Sequence, residues 1–248
     1  MIKYNMDIFD IDGLSQNNID RIQIGMIPFN SRVLEIGCAT GYMSEYMTKK
    51  MGCQVTGVEL NDDQAELARE KCHKLISGGI DDDEVQRQLD QVVIEQGRFD
   101  VIFMSQVIEH IPYPEQVMVR MHEWLDPGGI LVISTCNIAH WKYRMKLLAG
   151  KWEYEEYGVL DKSHLRFFTT KSFERFLQNC GYRVLDEGYS IEEFCPFRIL
   201  FGVKIIAPYA ILGCVPFIGM TLRKIYMRLF RNIISTQFVY KASLSSGA

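Results

Sequence analysis

The sequence lacks the features of several specialised protein classes. No CxxC pair occurs and the seven cysteines are scattered singly, which predicts reduced thiols in a cytoplasmic protein and no disulfide framework. The stretch from Met1 to Asp7 has no basic and then apolar signal segment, so we expect a protein that is not secreted. The five histidines show no ligand spacing, so no metal site is predicted. The 248 residues, 48% hydrophobic and 23% charged, are typical of one globular domain.

Acidic residues are absent from the C-terminal part of the chain. From Phe194 to the end there is no Asp or Glu, whereas seven of the 27 basic residues lie there. The preceding part therefore holds all 31 acidic residues against 20 basic ones. An acidic body argues against a nucleic-acid surface, so we predict no nucleic-acid partner.

Apolar runs and helical patterns alternate along the chain, which predicts an α/β fold with a doubly wound, mainly parallel sheet of seven strands. The predicted strands are 32–36, 54–59, 74–77, 99–104, 130–135, 183–190 and 237–241. The predicted helices are 42–51, one capped by Asn61, 82–96, 114–125 and 170–179, and a turn is predicted at 126–129. In such sheets ligands bind beyond the carboxyl ends of the strands.

Three segments stand apart from this regular alternation within a single domain, 1–248. We expect an N-terminal helical lid at 1–28, a substrate lid inserted after the fifth strand at 136–169, and a hydrophobic, basic insertion between the last two strands at 195–236.

A small-residue loop, Glu35-Ile36-Gly37-Cys38-Ala39-Thr40-Gly41, follows the first predicted strand. Small residues there let the main chain approach a ligand, and the following helix offers unpaired N–H groups. Glu59 ends the second strand, where a carboxylate can accept hydrogen bonds from both hydroxyls of a ribose. A nicotinamide enzyme is the rival interpretation, but G-x-G-x-x-G is absent and Glu35 would repel a pyrophosphate.

On these residues the sequence resembles the class I S-adenosylmethionine-dependent methyltransferases. The stretch 33–41 is similar to their first motif, Val58-Glu59 to their ribose-binding acidic position, 99–110 to their strand-four motif, and 125–129 to the motif before strand five. Four motifs in this order are specific together. The resemblance implies a Rossmann-like fold, S-adenosylmethionine as cofactor, and a cofactor site made of Glu35, Gly37, Cys38, Ala39, Gly41, Glu59, Leu60, Ile80, Asp81, Ser105 and Gln106.

The segment 137–170 narrows the resemblance to bacterial methyltransferases of cell-surface glycan and small-molecule biosynthesis. Two departures from the family pattern are visible. After the third strand the chain reads Gly78-Gly79-Ile80-Asp81 where relatives often have Gly-Asp-Ile-Glu, which leaves Ile80 with Asp81 or Asp82 to meet the adenine. After the fifth strand it reads Cys136-Asn137 in place of Pro-Asn.

Candidate catalytic residues follow strand four and lie in the insertion. A hydroxyl acceptor benefits from a base that removes its proton, and we predict His164 for this role, with Asp161 at i, i−3 orienting it and His110 as the next candidate. Glu109 and His110 could equally be a structural pair, and His140 could simply pack in the lid. A metal would require a folded cluster of Glu109, His110, Asp161 and His164. The insertion's aromatic residues are either substrate-stacking groups or the lid's own core, namely Trp141, Tyr143, Trp152, Tyr154 and Tyr157.

The predicted function is O-methylation of a small molecule or glycan intermediate. A non-catalytic cofactor-binding module and a nicotinamide oxidoreductase are the alternatives. A nucleic-acid base is not expected as the acceptor, because Met104-Ser105-Gln106-Val107 stands where enzymes of that kind usually resemble Asp/Asn-Pro-Pro-Tyr.

The insertion at 195–236 has its own pattern. Its first part, 199–220, is nearly continuous apolar sequence, and 221–234 has apolar residues at helical spacing together with Arg223, Lys224, Arg228 and Arg231. A basic amphipathic helix suits the anionic inner face of a membrane and a lipid-linked acceptor, whereas a roof over the substrate cleft or a homodimer interface is the alternative. Pairing of 237–241 with the sheet would exclude a single membrane crossing.

Overall fold

A computed structural model describes residues 11–191 and 230–245 of the chain. Within them, seven strands form one sheet in the order β3-β2-β1-β4-β5-β7-β6, with β7 antiparallel to both of its neighbours. The strands are β1 Arg32–Ile36, β2 Gln54–Glu59, β3 Lys74–Ser77, β4 Phe99–Ser105, β5 Leu125–Cys136, β6 Tyr182–Ile191 and β7 Ser235–Leu244. The helices are α1 Ile19–Ile24, α2 Tyr42–Met51, α3 Asp62–Ala68, α4 Asp83–Gln96, α5 Pro114–Trp124, α6 Trp141–Leu148 and α7 Thr170–Asn179. The predicted doubly wound α/β fold is confirmed.

Helix ends follow the local sequence signals. The Asn61 side chain accepts a 3.0 Å hydrogen bond from the amide of Gln64, as the predicted cap requires. Thr169 and Ser172 form a reciprocal capping box at the start of α7. Gly52 ends α2 with φ of 70°, a left-handed conformation that suits glycine.

The sheet differs from prediction near β5. The residues predicted as a turn, 126–129, lie inside the strand, where the register with β4 shifts between Phe99 and Val101. The turn chemistry is still present, because the Asp126 side chain accepts a 2.9 Å hydrogen bond from the amide of Gly128. Strands β6 and β7 are also longer than predicted, since their mutual ladder continues to Ile191–Ser235, beyond the apolar stretch of either strand.

Alternate residues of the central strands face opposite layers, which builds two cores. Leu34 and Ile102 pack with one cluster, together with buried residues of α4, α5 and α7. Val33 and Val101 pack with the other, together with buried residues of α1 and α2. The two-residue period of a strand thus buries both faces of the sheet, as the continuous apolar character of β1 and β4 predicts.

The structure describes part of the segment predicted as an N-terminal lid and the segment predicted as a substrate lid. Of the N-terminal lid, residues 1–10 lie outside the described residues, and the rest includes a 3₁₀ turn at Ile11–Gly13 and α1, which packs against β6 and β7. The insertion after β5 contains α6 and a small core of Tyr143, Val159 and Leu160. His140, buried next to Trp141, belongs to this packing and not to the lining of the cleft.

Most of the insertion predicted at 195–236, up to residue 229, lies outside the described residues. Residues 230–234 form a helical turn that leads into β7. The final strand pairs with both β5 and β6, as predicted for 237–241. No helix in the ranges 11–191 and 230–245 has the length and apolar character needed to cross a membrane.

Arg231 does not belong to an open basic helix face, contrary to prediction. Its guanidinium forms an ion pair with Glu187 and donates a 2.6 Å hydrogen bond to the hydroxyl of Tyr189, and its side chain is only 16% exposed. The end of the basic segment is thereby attached to β6, because the ion pair and the hydrogen bond satisfy this partly buried charge.

Candidate active site

A cleft of about 970 Å³ opens at the carboxyl edge of the parallel strands. Its walls come from the ends of β1, β2 and β4, the loop after β3, α1, and the insertion after β5. All the predicted site residues except Gly41 line it: Glu35, Gly37, Cys38, Ala39, Glu59, Leu60, Ile80, Asp81, Ser105, Gln106, His110, Asp161 and His164. The position agrees with the general rule for open α/β sheets.

The loop after β1 has the backbone that its small residues permit. Gly37 and Ala39 have positive φ, 75° and 50°. A Cβ on Gly37 would overlap the side chain of Val107, so only glycine fits this close approach. Gly41 caps the N-terminus of α2, and a Cβ there would come within 3.0 Å of the Cα of Ala68. Its small size therefore serves the contact between α2 and the end of α3.

Two buried carboxyl groups stand on either side of this loop. Oε2 of Glu59 accepts a 2.8 Å hydrogen bond from the amide of Ala39, and Oε1 accepts one of 2.9 Å from the amide of Asn61. Glu35 accepts a hydrogen bond from the hydroxyl of Ser44. Burial raises the pKa of the Glu35 carboxyl well above its usual value. Among the described residues no basic side chain forms an ion pair with Glu35, so the site has room for a ligand's positive charge.

The loop after β3 forms the side of the cleft predicted to meet an adenine. Ile80 is buried and presents an apolar surface, while Asp81 is exposed at the rim. The carboxylate of Asp82, the other candidate, turns back and accepts a 2.8 Å hydrogen bond from the amide of Gly79. Ile80 and Asp81 are thus the two that line the cleft.

The residues after β4 are braced from several directions. The hydroxyl of Ser105 accepts a 2.8 Å hydrogen bond from the side-chain amide of Gln23 in α1. Oε1 of Gln106 accepts hydrogen bonds of 3.1 Å from the Cys136 thiol and from Gln237, and its φ is 55°. Gln106 therefore ties the end of β4 to β5 and β7 at the floor of the cleft.

The structure brings the two candidate bases together. The ring centroids of His110 and His164 lie 4.7 Å apart, edge to face. Nδ1 of His164 lies 3.0 Å from the carbonyl of Val159, and Nδ1 of His110 lies 3.2 Å from the carbonyl of Ser163. Because a carbonyl only accepts, each Nδ1 carries the proton. In the neutral rings each Nε2 therefore has a lone pair.

Asp161 lines the same cleft and also accepts hydrogen bonds that shape a turn. Its Oδ1 accepts hydrogen bonds of 2.9 Å from the amide and 2.6 Å from the hydroxyl of Ser163. These bonds shape the turn that carries His164. The orienting partner predicted for His164 was this carboxylate, and the carbonyl of Val159 takes that position on Nδ1.

Glu109, which the sequence offered as half of a structural or catalytic pair and as a member of a possible metal cluster, lines the cleft beside His164. Its main-chain carbonyl accepts hydrogen bonds from the amides of Leu165 (2.8 Å) and Arg166 (3.1 Å), which attaches the insertion to the loop after β4. Its buried carboxyl group lines the cleft, and burial raises its pKa to about 7. A carboxyl oxygen of Glu109, a ring nitrogen of His164 and the Cys136 sulfur all lie within 4.8 Å of one another. The absence of a metal site stays a prediction.

Several cleft residues had no signal in the sequence. They come from α1 and its N-cap, α2, α3 and β7, and only the fold carries them to the site: Asn18, Asp20, Tyr42, Gln64 and Gln237. Burial raises the pKa of Asp20 to about 6. Of the aromatic residues predicted to stack on a substrate, Tyr157 lines the cleft, whereas Tyr143 belongs to the small core of the insertion.

Comparisons with known proteins show the family to which the chain belongs. Residues 15–187 match the family described as methyltransferase domain. The chain is 32% identical over 176 residues to a ubiquinone biosynthesis O-methyltransferase of Xanthomonas axonopodis, covering 71% of this chain and 72% of that one. It is 36% identical over 131 residues to the protein of the same name from Pseudomonas aeruginosa, of which it spans about half (53%) and which covers 52% of this chain.

Among solved structures, a SAM-dependent methyltransferase from Archaeoglobus fulgidus superposes with a TM-score of 0.59 at 17% identity, covering 90% of both chains. One from Mesorhizobium loti gives 0.53 at 16% identity, covering 94% of this chain and 99% of that one. At these identities the likeness concerns the fold. Together with the family match over most of the chain, it leads to one conclusion: the chain belongs to the methyltransferase domain family and is an S-adenosylmethionine-dependent methyltransferase.

Proposed function

We propose that the chain methylates a hydroxyl group of a small molecule, with His164 as the general base. The observation that carries the proposal is the 3.0 Å contact between Nδ1 of His164 and the carbonyl of Val159. This Nδ1 is committed to the carbonyl of Val159, so a neutral ring presents Nε2 as a proton acceptor in the cleft wall. The names of the relatives, O-methyltransferases of ubiquinone biosynthesis, support a hydroxyl acceptor.

The cofactor fits the residues around the loop after β1. Bound S-adenosylmethionine supplies a methyl group on a sulfonium, activated for attack. Glu59, already oriented by the amides of Ala39 and Asn61, would accept hydrogen bonds from the ribose. Glu35 would face the ligand's positively charged methionine portion, which supplies the positive charge that this buried carboxyl group otherwise lacks. Ile80 and Leu60 offer apolar surface to the adenine.

The residues proposed for the reaction line the same cleft and come from the loop after β4 and the insertion after β5. His164 Nε2 would take the proton from the acceptor hydroxyl as its oxygen attacks. Ser105 and Gln106, held by Gln23 and Gln237, keep the end of β4 rigid next to the reacting groups. Alignment of the two reactants is the main contribution a protein makes to such a displacement. His110 is the substitute base if His164 has only a structural role.

The proposal is tested in two steps. Isothermal titration with S-adenosylhomocysteine measures cofactor binding, and release of S-adenosylhomocysteine from S-adenosylmethionine is then followed with phenols, sugars and lipid-linked hydroxyl compounds. Binding with turnover on a hydroxyl acceptor is the expected result. Binding without turnover on any acceptor would favour a non-catalytic cofactor-binding module, and binding of NADH in place of S-adenosylhomocysteine would favour the oxidoreductase.

We further propose that the acceptor is lipid-linked and that the chain contacts an anionic membrane surface. The supporting observation is the position at which the insertion predicted at 195–236 joins the sheet. Ile191 and Ser235 are register partners, and Gln237, two residues into β7, lines the cleft. The basic and apolar sequence between them is therefore joined to the substrate edge of the sheet. A glycan acceptor, a roof over the cleft and a homodimer interface are the competing proposals.

A further inference from the structure

Glu109 carries a buried carboxyl group to which the proposed reaction assigns no role. The residue is 1% exposed and lines the cleft. Its carboxyl oxygens form no hydrogen bond of normal geometry with any described residue, although the hydroxyl of Thr135 and the main chain of Cys136 lie near enough to lower its pKa. Leaving a buried carboxyl group without a well-formed hydrogen bond costs free energy.

Three titratable groups lie near this carboxyl group, and a fourth contacts one of them. His164 and Cys136 approach to within 4.8 Å through a ring nitrogen and the sulfur. His110 follows Glu109 in the chain and stacks edge to face on His164. Asp161 stands in the same wall and raises the pKa of Glu109 by its negative charge. His164 and His110 are the two groups that can become positive beside Glu109.

The spacing between Glu109 and His164 is fixed by the main chain. The carbonyl of Glu109 accepts the amides of Leu165 and Arg166, the two residues that follow His164. The Arg166 side chain adds a 2.6 Å hydrogen bond to the carbonyl of Pro112. A carboxyl group and an imidazole so held keep their separation when the proton moves, which is what preorganisation requires.

We propose that Glu109 is the positioning residue of His164. The Glu109 carboxylate balances the positive charge that forms on the His164 imidazole when the ring takes the acceptor's proton. The inference rests on the proposed function of His164 as base. In the step, the O–H bond of the acceptor breaks and an N–H bond forms at Nε2. The resulting imidazolium and the Glu109 carboxylate are then neutral as a pair.

The electrostatics of the wall agree with this role. Burial raises the pKa of Glu109 to about 7, so its carboxyl group changes charge in the same range as an ordinary histidine. Near neutral pH, Glu109 or His164 can therefore gain or lose its charge at little free-energy cost when the charge of the other changes. The proposed pair is an alternative to the Asp161–His164 pair expected from the i, i+3 spacing.

The test is a proton NMR titration of the full chain bound to S-adenosylhomocysteine, which needs no knowledge of the acceptor. Five histidines give few imidazole signals, and His164→Gln assigns one of them. In Glu109→Gln the pKa of His164 should fall by about one unit, because a neighbouring negative charge is lost. Glu115→Gln, an exposed change on α5, should leave that pKa where it was.

Once an acceptor is known, the kcat–pH profile gives a second readout. The acidic limb in Glu109→Gln should move to lower pH, with kcat reduced roughly 10-fold to 100-fold and S-adenosylhomocysteine affinity within about twofold. Glu109→Asp shortens the side chain by one methylene and moves the carboxylate away from His164, so it should give part of the His164 pKa shift. This variant is the replacement test if Glu109→Gln does not fold.

Two results would overturn the inference. An unchanged His164 pKa in Glu109→Gln and Glu109→Asp would leave Glu109 a structural residue. A methyl transfer that EDTA abolishes and one equivalent of Zn²⁺ restores, with the His164 signal displaced by Zn²⁺ only when Glu109 is present, would make the two residues ligands instead. Failure of the proposed function is distinguishable, because it appears as a missing turnover while the His164 pKa still depends on Glu109.

Discussion

The carboxylate of Glu59 accepts a 2.8 Å hydrogen bond from the main-chain amide of Ala39, across the gap between the ends of β2 and β1. The bond holds the loop after β1 in its left-handed conformation at Ala39 and orients the carboxylate toward the cleft. One side chain therefore shapes the loop after β1 and, in the proposed function, would present a hydrogen-bond acceptor to the ribose.

The first prediction concerns this residue. Glu59→Ala removes two charge-assisted hydrogen bonds to the ribose, each worth about 1.5–3 kcal/mol, and releases the amide of Ala39. The dissociation constant for S-adenosylhomocysteine should rise well over tenfold in isothermal titration. Asp63→Ala, an exposed acidic residue of α3, is the matched control and should bind normally. Equal affinity in the two variants would remove Glu59 from the cofactor site.

His164 carries the second prediction. His164→Ala should lower kcat roughly 100-fold or more while S-adenosylhomocysteine binding is retained, because the base acts only on the acceptor proton. His73→Ala changes an exposed histidine just before β3, at the opposite edge of the sheet, and should keep normal turnover. Normal turnover and pH profile in His164→Ala would make His164 structural and move the assignment to His110.

The raised pKa of Glu109 predicts a pH-dependent stability. Its carboxyl group has a pKa of about 7 in the fold against the usual 4.5, so the folded chain binds the proton more tightly than the unfolded chain. The free energy of unfolding should therefore fall as pH rises from about 4.5 to 7, by up to about 3 kcal/mol. Glu109→Gln cannot ionise and should lack this component.

The measurement is urea denaturation of the two proteins at pH 5 and pH 8. The glutamine variant should gain stability relative to wild type at the higher pH. A constant difference between the two proteins at both pH values would show that the carboxyl group is not penalised by burial.

Membrane contact is the fourth prediction. The full chain should float with anionic liposomes, and less so at high salt, because each basic residue near the surface contributes about 1 kcal/mol. Changing Arg223, Lys224 and Arg228 together to Gln should abolish flotation. Arg231 is left unchanged because it is bound to Glu187 and Tyr189. As a control, changing the exposed residues Lys49, Lys50 and Arg87 to Gln removes the same amount of positive charge elsewhere on the chain. This variant should still float with the liposomes. A wild-type chain that stays at the bottom of the gradient favours a roof or an interface.

The sequence alone determined the strands of the sheet, their order along the chain and the predicted cofactor residues that line the cleft. These depend on short-range signals: apolar strands that end in small residues, the cap at Asn61, and the acidic residue that ends β2. A strand followed by a loop leaves its last side chain at the sheet edge whatever the rest of the chain does. The residues of the loop after β1 can therefore be identified from local sequence patterns.

Only the tertiary structure decided which of the candidate reaction residues lie close together. Glu109 and His164 are 55 positions apart, and no local pattern indicates that the carbonyl of one accepts the amides next to the other. Asp161 is predicted as the partner of His164 from their spacing alone, and this stretch is a turn in which Asp161 accepts hydrogen bonds from Ser163. Side chains from separate segments, and the burial that raises the pKa of Glu109, are set by how the insertion packs on the sheet. That packing is a long-range property, which the sequence encodes only through the whole fold.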